Sequence, residues 1–184
     1  MIEVVVIESV GTMNAFLTVI PLMLIRFVLL NLLDKEALRR AAFFAPLVEK
    51  EKPAYYLYQI SNILIFVYLC FLKIIIDSNC FYVGLAIYGI GVLLCLLSVL
   101  NFAKPAESGI NIKGLYRFSR NPMYVSYFIY FLGCVLLTKS LILFALLLVF
   151  QISAHWIILS EERWCLKTFG KEYINYMNKV RRYI

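Results

Sequence analysis

The chain has 184 residues, 63% of them hydrophobic and 16% charged, with a formal net charge of +7. A soluble domain of this size cannot hide so much apolar surface, so the composition excludes an ordinary water-soluble fold and predicts an all-α integral membrane protein. The positive charge fits membrane topology and anionic lipid as partners, and no nucleic-acid partner is expected.

Met1–Val10 carries Glu3 and Glu8 and lacks a basic leader, so the first apolar segment is expected to stay in the mature protein. Five spans are predicted. The first is about Met13–Leu33, with Arg26 inside it, and the second about Tyr55–Ile76, with Lys73 near its end. The third is Phe81–Phe102, which holds no Asp, Glu, Lys or Arg, and the fourth is the short Pro122–Thr138. Lys139-Ser140 then separates it from the fifth, Leu141–Ser160, again without a charged residue. About 20 apolar residues cross a hydrocarbon core of roughly 30 Å. Spans four and five therefore read as a tight C-terminal helical hairpin.

The basic residues sort between the spans. Lys35, Arg39, Arg40, Lys50 and Lys52 lie in 34–54, and Lys104, Lys113, Arg117 and Arg120 in 103–121. Arg163, Lys167, Lys171, Lys179, Arg181 and Arg182 lie in the tail, whereas the other side has only Lys73 and Lys139. With five spans all three basic segments share one side, the cytoplasm by the positive-inside rule, with the N-terminus outside and the C-terminus inside. In the tail, Leu166, Phe169, Tyr173, Tyr176, Val180 and Tyr183 recur at spacings of three and four. That pattern predicts an amphipathic cytoplasmic helix, bent at Gly170 and lying on the leaflet, with a lid as the alternative.

Two stretches on that side carry polar chemistry. In Gly114–Tyr124, Gly114 admits backbone geometry closed to other residues. Asn121-Pro122 predicts a capped start to the fourth span, and free helix N–H groups attract a carboxylate or phosphate. Directly after the fifth span come Glu161 and Glu162. A continuing helix offers neither glutamate a basic residue at three or four positions' distance, so each needs a partner elsewhere, with Arg117 and Arg120 nearest. His155, the only histidine, stands seven residues before Glu162 on roughly one helix face and is a candidate substrate contact. Cys70, Cys80, Cys95, Cys134 and Cys165 lack metal-ligand spacing and read as packing residues, and no metal is expected. Gly89-x-Gly91 inside the third span reads as a site of close helix packing.

The run GLYRFSRNPMY, a helical hairpin, and then EERWCLKTFGKEYINYMNKVRRYI together resemble the isoprenylcysteine carboxyl methyltransferase and phospholipid methyltransferase family, over roughly residues 105–184. The resemblance divides a single structural domain into variable transmembrane helices, 1–104, and a cofactor-binding region, 105–184. It implies a methyltransferase that takes S-adenosyl-L-methionine as cofactor. The cofactor would be held by Tyr116, Arg120, Asn121, Pro122, Met123 and Tyr124 on one side and by Glu161 and Glu162 on the other. The methyl acceptor would be a lipophilic or small molecule, with no obligate protein partner. Two positions depart from the carboxyl methyltransferases: Asn121 stands where histidine is usual, and Ile157 where an arginine contacts substrate. A prenylcysteine carboxylate is therefore not the expected acceptor. Two other classes fit such a chain, an NADPH-dependent membrane reductase of the sterol-reductase type and a non-catalytic membrane scaffold.

Overall fold

The computed structural model describes residues 13–76 and 79–184 and, among them, is helical with no strand. Five long helices run alternately between two ends. Helix α1 is the continuous stretch Ala15–Leu33, and after the short α2 (Lys35–Ala42) comes α3, Lys52–Leu69. Then follow α4 (Asn79–Phe102), α5 (Pro122–Thr138), α6 (Leu141–Phe169) and the tail helix α7 (Lys171–Lys179). The Glu3 and Glu8 leader segment lies outside the described residues.

Three of these helices, α1, α4 and α6, are long and apolar enough to cross a membrane, as an integral membrane protein requires, while α5 is a shorter apolar helix. Their boundaries test the sequence reading. Helix α5 begins and ends where predicted: Pro122 fits a first helical turn, and Lys139, at φ +49°, breaks the helix before Ser140 caps α6 at the Leu143 N–H. Helix α3 differs. It starts at Lys52 and stops at Leu69, seven residues short of the predicted Ile76. The apolar residues beyond it are extended and pair with their neighbours: Ala15 N donates to Leu72 O (2.9 Å), Ile74 N to Met13 O (2.8 Å) and Ile75 N to Leu137 O (2.9 Å). Hydropathy continues there, but the hydrogen bonds go to other segments. Helix α6 runs past the predicted Ser160 through both glutamates to Phe169, and Gly170 (φ +54°) turns the chain into α7.

The helices pack as two antiparallel pairs, α4 with α5 and α3 with α6. Gly91 and Gly133 bring the first pair into backbone contact. A Cβ at Gly91 would stand 2.4 Å from Tyr130 Cα, and one at Gly133 would stand 2.5 Å from Tyr88 Cα. Small residues are what let apolar helices approach so closely without a hydrophobic drive between them. Gly89, by contrast, faces open space, so only Gly91 of the predicted pair packs. Tyr88 and Tyr130 both donate their hydroxyls to Thr18 O, the first at 3.0 Å, which ties α1 to the pair.

At the end of the bundle holding 34–54, 103–121 and the tail, the connections pack on one another. This basic end contains the candidate site.

Candidate active site

The turn before α5 is shaped by Gly114. Its φ of +58° suits glycine, and a Cβ there would collide with the Asn101 side chain at 2.0 Å. Asn101 Oδ1 instead accepts from Leu115 N at 2.9 Å, fixing the short turn Gly114–Arg117 against the end of α4. Tyr116 is thereby buried, and burial pushes its phenol well above the usual range, so it stays protonated. Its carbonyl accepts from Tyr176 Oη of α7 at 2.7 Å.

Asn121 occupies the N-cap position, but its side chain does not cap the helix as the sequence suggests. Its Nδ2 donates to Arg182 O at 3.1 Å, beside Ser119 Oγ to Arg182 O (3.3 Å) and Arg120 N to Arg181 O (2.9 Å). The returning C-terminal segment has taken the amide. Correspondingly, the apolar stripe of the tail faces the protein. Tyr173 and Tyr176 are buried against Ile110, with Cys165, Leu166 and Phe169 around them, so α7 forms a wall of the site instead of lying free for a leaflet.

The two glutamates diverge, because successive residues on a helix point about 100° apart. Glu162 is 5% exposed and bonded to two arginines, with Arg120 Nη2 at 3.0 Å and Arg182 Nη2 at 2.8 Å. Of the two arginines proposed as partners, Arg120 is engaged, whereas Arg117 is exposed. Glu161 turns the other way and accepts from Tyr124 Oη at 2.9 Å. His155 shares the face of Glu162, as its seven-residue spacing predicts. That face meets the tail, where His155 Nδ1 and Tyr183 Oη share a hydrogen bond at 2.7 Å. His155 does not line the cavity described next.

Between α2, the 103–121 segment, α5, α6 and α7 lies a cavity of about 460 Å³. That is within the range of roughly 300–1,000 Å³ usual for small-molecule sites. Of the predicted residues, Tyr116, Arg120, Asn121, Met123, Tyr124 and Glu161 line it, while Pro122 and Glu162 stand behind them. On α6 the lining face is Glu161, Trp164, Cys165 and Phe169, an i, i+3, i+4, i+8 set.

Two buried polar atoms on the lining, Asn111 Oδ1 and Arg120 Nε, have no hydrogen-bond partner. Such orphans are costly unless a ligand supplies the missing group. One is an acceptor and the other a charged donor. With the Glu161 carboxylate and the aromatic rings of Tyr116, Tyr124, Trp164 and Phe169, they suit a molecule that carries a carboxylate, an ammonium and a flat heterocycle.

Sequence reasoning missed Arg26 and Tyr127. The α1 backbone is wound wide over Leu24–Leu29, an arrangement rare in helices and frequent at functional sites. It directs Arg26 inward, to Tyr127 Oη, to Ala41 O at 2.9 Å and to Met123 Sδ at 3.6 Å. The signal was present as the one arginine within an apolar span. Its bonding partners, from α2 and α5, have no local signature.

Residues 100–172 match the family model described as phospholipid methyltransferase. No curated protein and no solved structure matches the chain. The matched segment opens at the end of α4 and runs through the turn, α5 and α6 into the first residues of α7, which supply most of the cavity wall. Over residues 100–172, which supply most of this cavity's wall, the chain is similar to the phospholipid methyltransferase family.

Proposed function

We propose that the protein is an S-adenosyl-L-methionine-dependent membrane methyltransferase whose site faces the cytoplasm and serves a lipophilic or small acceptor. The observation that carries this reading is the cavity itself. It is built largely by the family-matched segment and lined by an acid, an orphan cation and aromatic faces. Such a cofactor would supply an electrophilic methyl group for an acceptor nucleophile to take, the sulfonium sulfur leaving as a neutral thioether.

The chain's own task is placement, since such a displacement depends on alignment more than on acid–base help. Glu161, oriented by Tyr124 Oη, is set to take an ammonium or ribose hydroxyls. Arg120 has Nε left over for a carboxylate, because its Nη2 is already spent on Glu162. The faces of Tyr116 and Tyr124 suit a sulfonium by cation–π attraction. Tyr173 and Tyr176 of α7 close the outer wall and exclude water. Glu162 and Asn121 act indirectly, by holding Arg120 and the tail in place. The basic residues clustered at this end support the cytoplasmic orientation.

Incubating membranes containing the protein with a donor labelled on its methyl group should label an extractable product. Membranes with the Glu161→Ala variant should show at most a tenth of that labelling, from loss of a charge-assisted contact of roughly 1.5–3 kcal/mol. Labelling that Glu161→Ala leaves unchanged would remove Glu161 from the site.

A further inference from the structure

A second cavity of about 180 Å³ lies deeper in the bundle, between α1, α3, α5 and α6, and shares Arg26, Tyr58 and Tyr127 with the first. We infer that this chamber seats the anionic head of an amphiphilic methyl acceptor, with Arg26 as the head's counter-charge; this rests on the methyltransferase reading above.

Charge favours an anion in this chamber. Arg26 stands within α1, a helix apolar enough to span a membrane, and an unpaired cation there is expensive. None of the described carboxylates is within ion-pair distance of it. Its three bonding partners, a phenol, a backbone carbonyl and a thioether, are all neutral. Five guanidinium N–H groups leave donors to spare. An oxyanion beside it would complete the site.

Helix α3 adds polar groups to the same wall. Asn62 lines the chamber half-buried in an apolar helix, and its amide has no hydrogen-bond partner among the described residues. Gln59 lines it one turn away, with Nε2 bonded only to Tyr55 Oη at 3.2 Å. Amides at that depth are costly unless a polar group meets them. The chamber therefore offers one cation, two amides and the phenols of Tyr58 and Tyr127, set among apolar side chains.

Access and size also suit an amphiphile. The wall includes Phe27, which is 53% exposed on the outer face of α1, so the chamber reaches the surface where lipid would lie. A volume of about 180 Å³ holds a head group and the first bonds of a chain, so the tail stays outside in the bilayer. The residues common to both cavities then mark where the acceptor's nucleophile would meet the methyl group. Arg26 on this reading positions the acceptor, while the other arginines lining the first cavity, Arg39 and Arg40 of α2 and the buried Arg120, are left for the cofactor.

The test is thermal unfolding of the full chain in neutral detergent, titrated with single-tailed probes: dodecyl phosphate, dodecanoate, dodecanol and dodecyltrimethylammonium, with S-adenosylhomocysteine in a separate arm. Stabilisation by the phosphate or the carboxylate, with dodecanol and the cationic probe giving none, is the expected result, and the stronger anion names the head. Arg26→Gln should raise the half-saturating concentration of that anion about tenfold or more, the usual scale for a lost charge-assisted bond. Asn62→Leu, which leaves the guanidinium in place, should raise it severalfold and keeps the test open if the first variant does not fold. In both variants the response to S-adenosylhomocysteine should persist. Equal stabilisation by dodecanol, or anion stabilisation unchanged in both variants, would overturn the assignment. So would loss of the S-adenosylhomocysteine response in Arg26→Gln, which would move Arg26 to the cofactor. A wild-type chain that ignores S-adenosylhomocysteine yet responds to the anions in the expected pattern would sink the methyltransferase reading and leave the anion site standing.

Discussion

Glu161 and Glu162 are neighbours with opposite duties, and the difference follows from helix geometry. Glu162 is enclosed with Arg120 and Arg182 and serves as a strut. Replacing it with Ala strands the buried Arg120 guanidinium, a change that typically costs about 3–5 kcal/mol. A lowered unfolding temperature without bound ligand would show this, and it should come with weaker cofactor binding as a consequence. Glu161→Gln should behave in the reverse way, leaving unfolding nearly unchanged while weakening the cofactor directly. The need of both acids for distant partners was legible in the sequence, since no helical neighbour could serve them. Which acid faced the cavity was not, because that depends on the rotation of α6 about its axis. His155 shows the same limit: its shared face with Glu162 was legible, but that face turned out to meet Tyr183.

Among the elements, the α4–α5 pair depends on two glycines set against tyrosine backbones. Gly91→Ala places a methyl group 2.4 Å from Tyr130 Cα, and backbone cannot yield as a side chain can. The helices must part, at a cost of about 1–3 kcal/mol by analogy with overpacked cores. Gly89→Ala, with nothing within 4 Å, is the internal control and should leave unfolding unchanged. A second element-scale tie joins the start of α3 to α6, where Glu51 accepts from Arg163 Nη1 and Nη2, both at 2.6 Å. These bonds hold the Glu51 carboxyl below its ordinary 4.5. A depressed folded value means the stabilisation is complete above the unfolded value and is lost as pH falls through the folded one. The difference in unfolding temperature between wild type and Glu51→Gln should therefore be constant near neutral pH and shrink once pH drops below about 4.5. A difference that stayed level into acid would deny the ion pair its role. The start and stop of α5 were readable from Asn121-Pro122 and Lys139-Ser140, which are local signals. The early end of α3 was not readable, because residues 70–76 keep the hydropathy of a span while pairing with Met13, Ala15 and Leu137.

For the whole molecule, the tail completes the site. The carbonyls of Arg181 and Arg182 accept from the turn before α5, the Arg182 side chain braces Glu162, and Tyr176 ties α7 to Tyr116. Removing residues 180–184 should weaken cofactor binding as well as lower the unfolding temperature, since Arg120 would lose its backbone anchor. An unchanged affinity in the truncated chain would show the tail to be a mere appendage. The sequence carried the apolar period of the tail but not its destination, because a stripe of tyrosines suits a leaflet and a protein groove equally. The all-helical bundle, the hairpin and the clustering of polar groups at one end were readable from hydropathy and charge. The cavity was not, since it exists only where segments from across the chain meet. The most direct measurement is calorimetric titration of the purified chain with S-adenosylhomocysteine. Saturable one-to-one binding by wild type, weakened about tenfold or more in Glu161→Ala, is the result expected from losing one charge-assisted contact. A wild-type chain that binds none of it would contradict the proposed activity at its root.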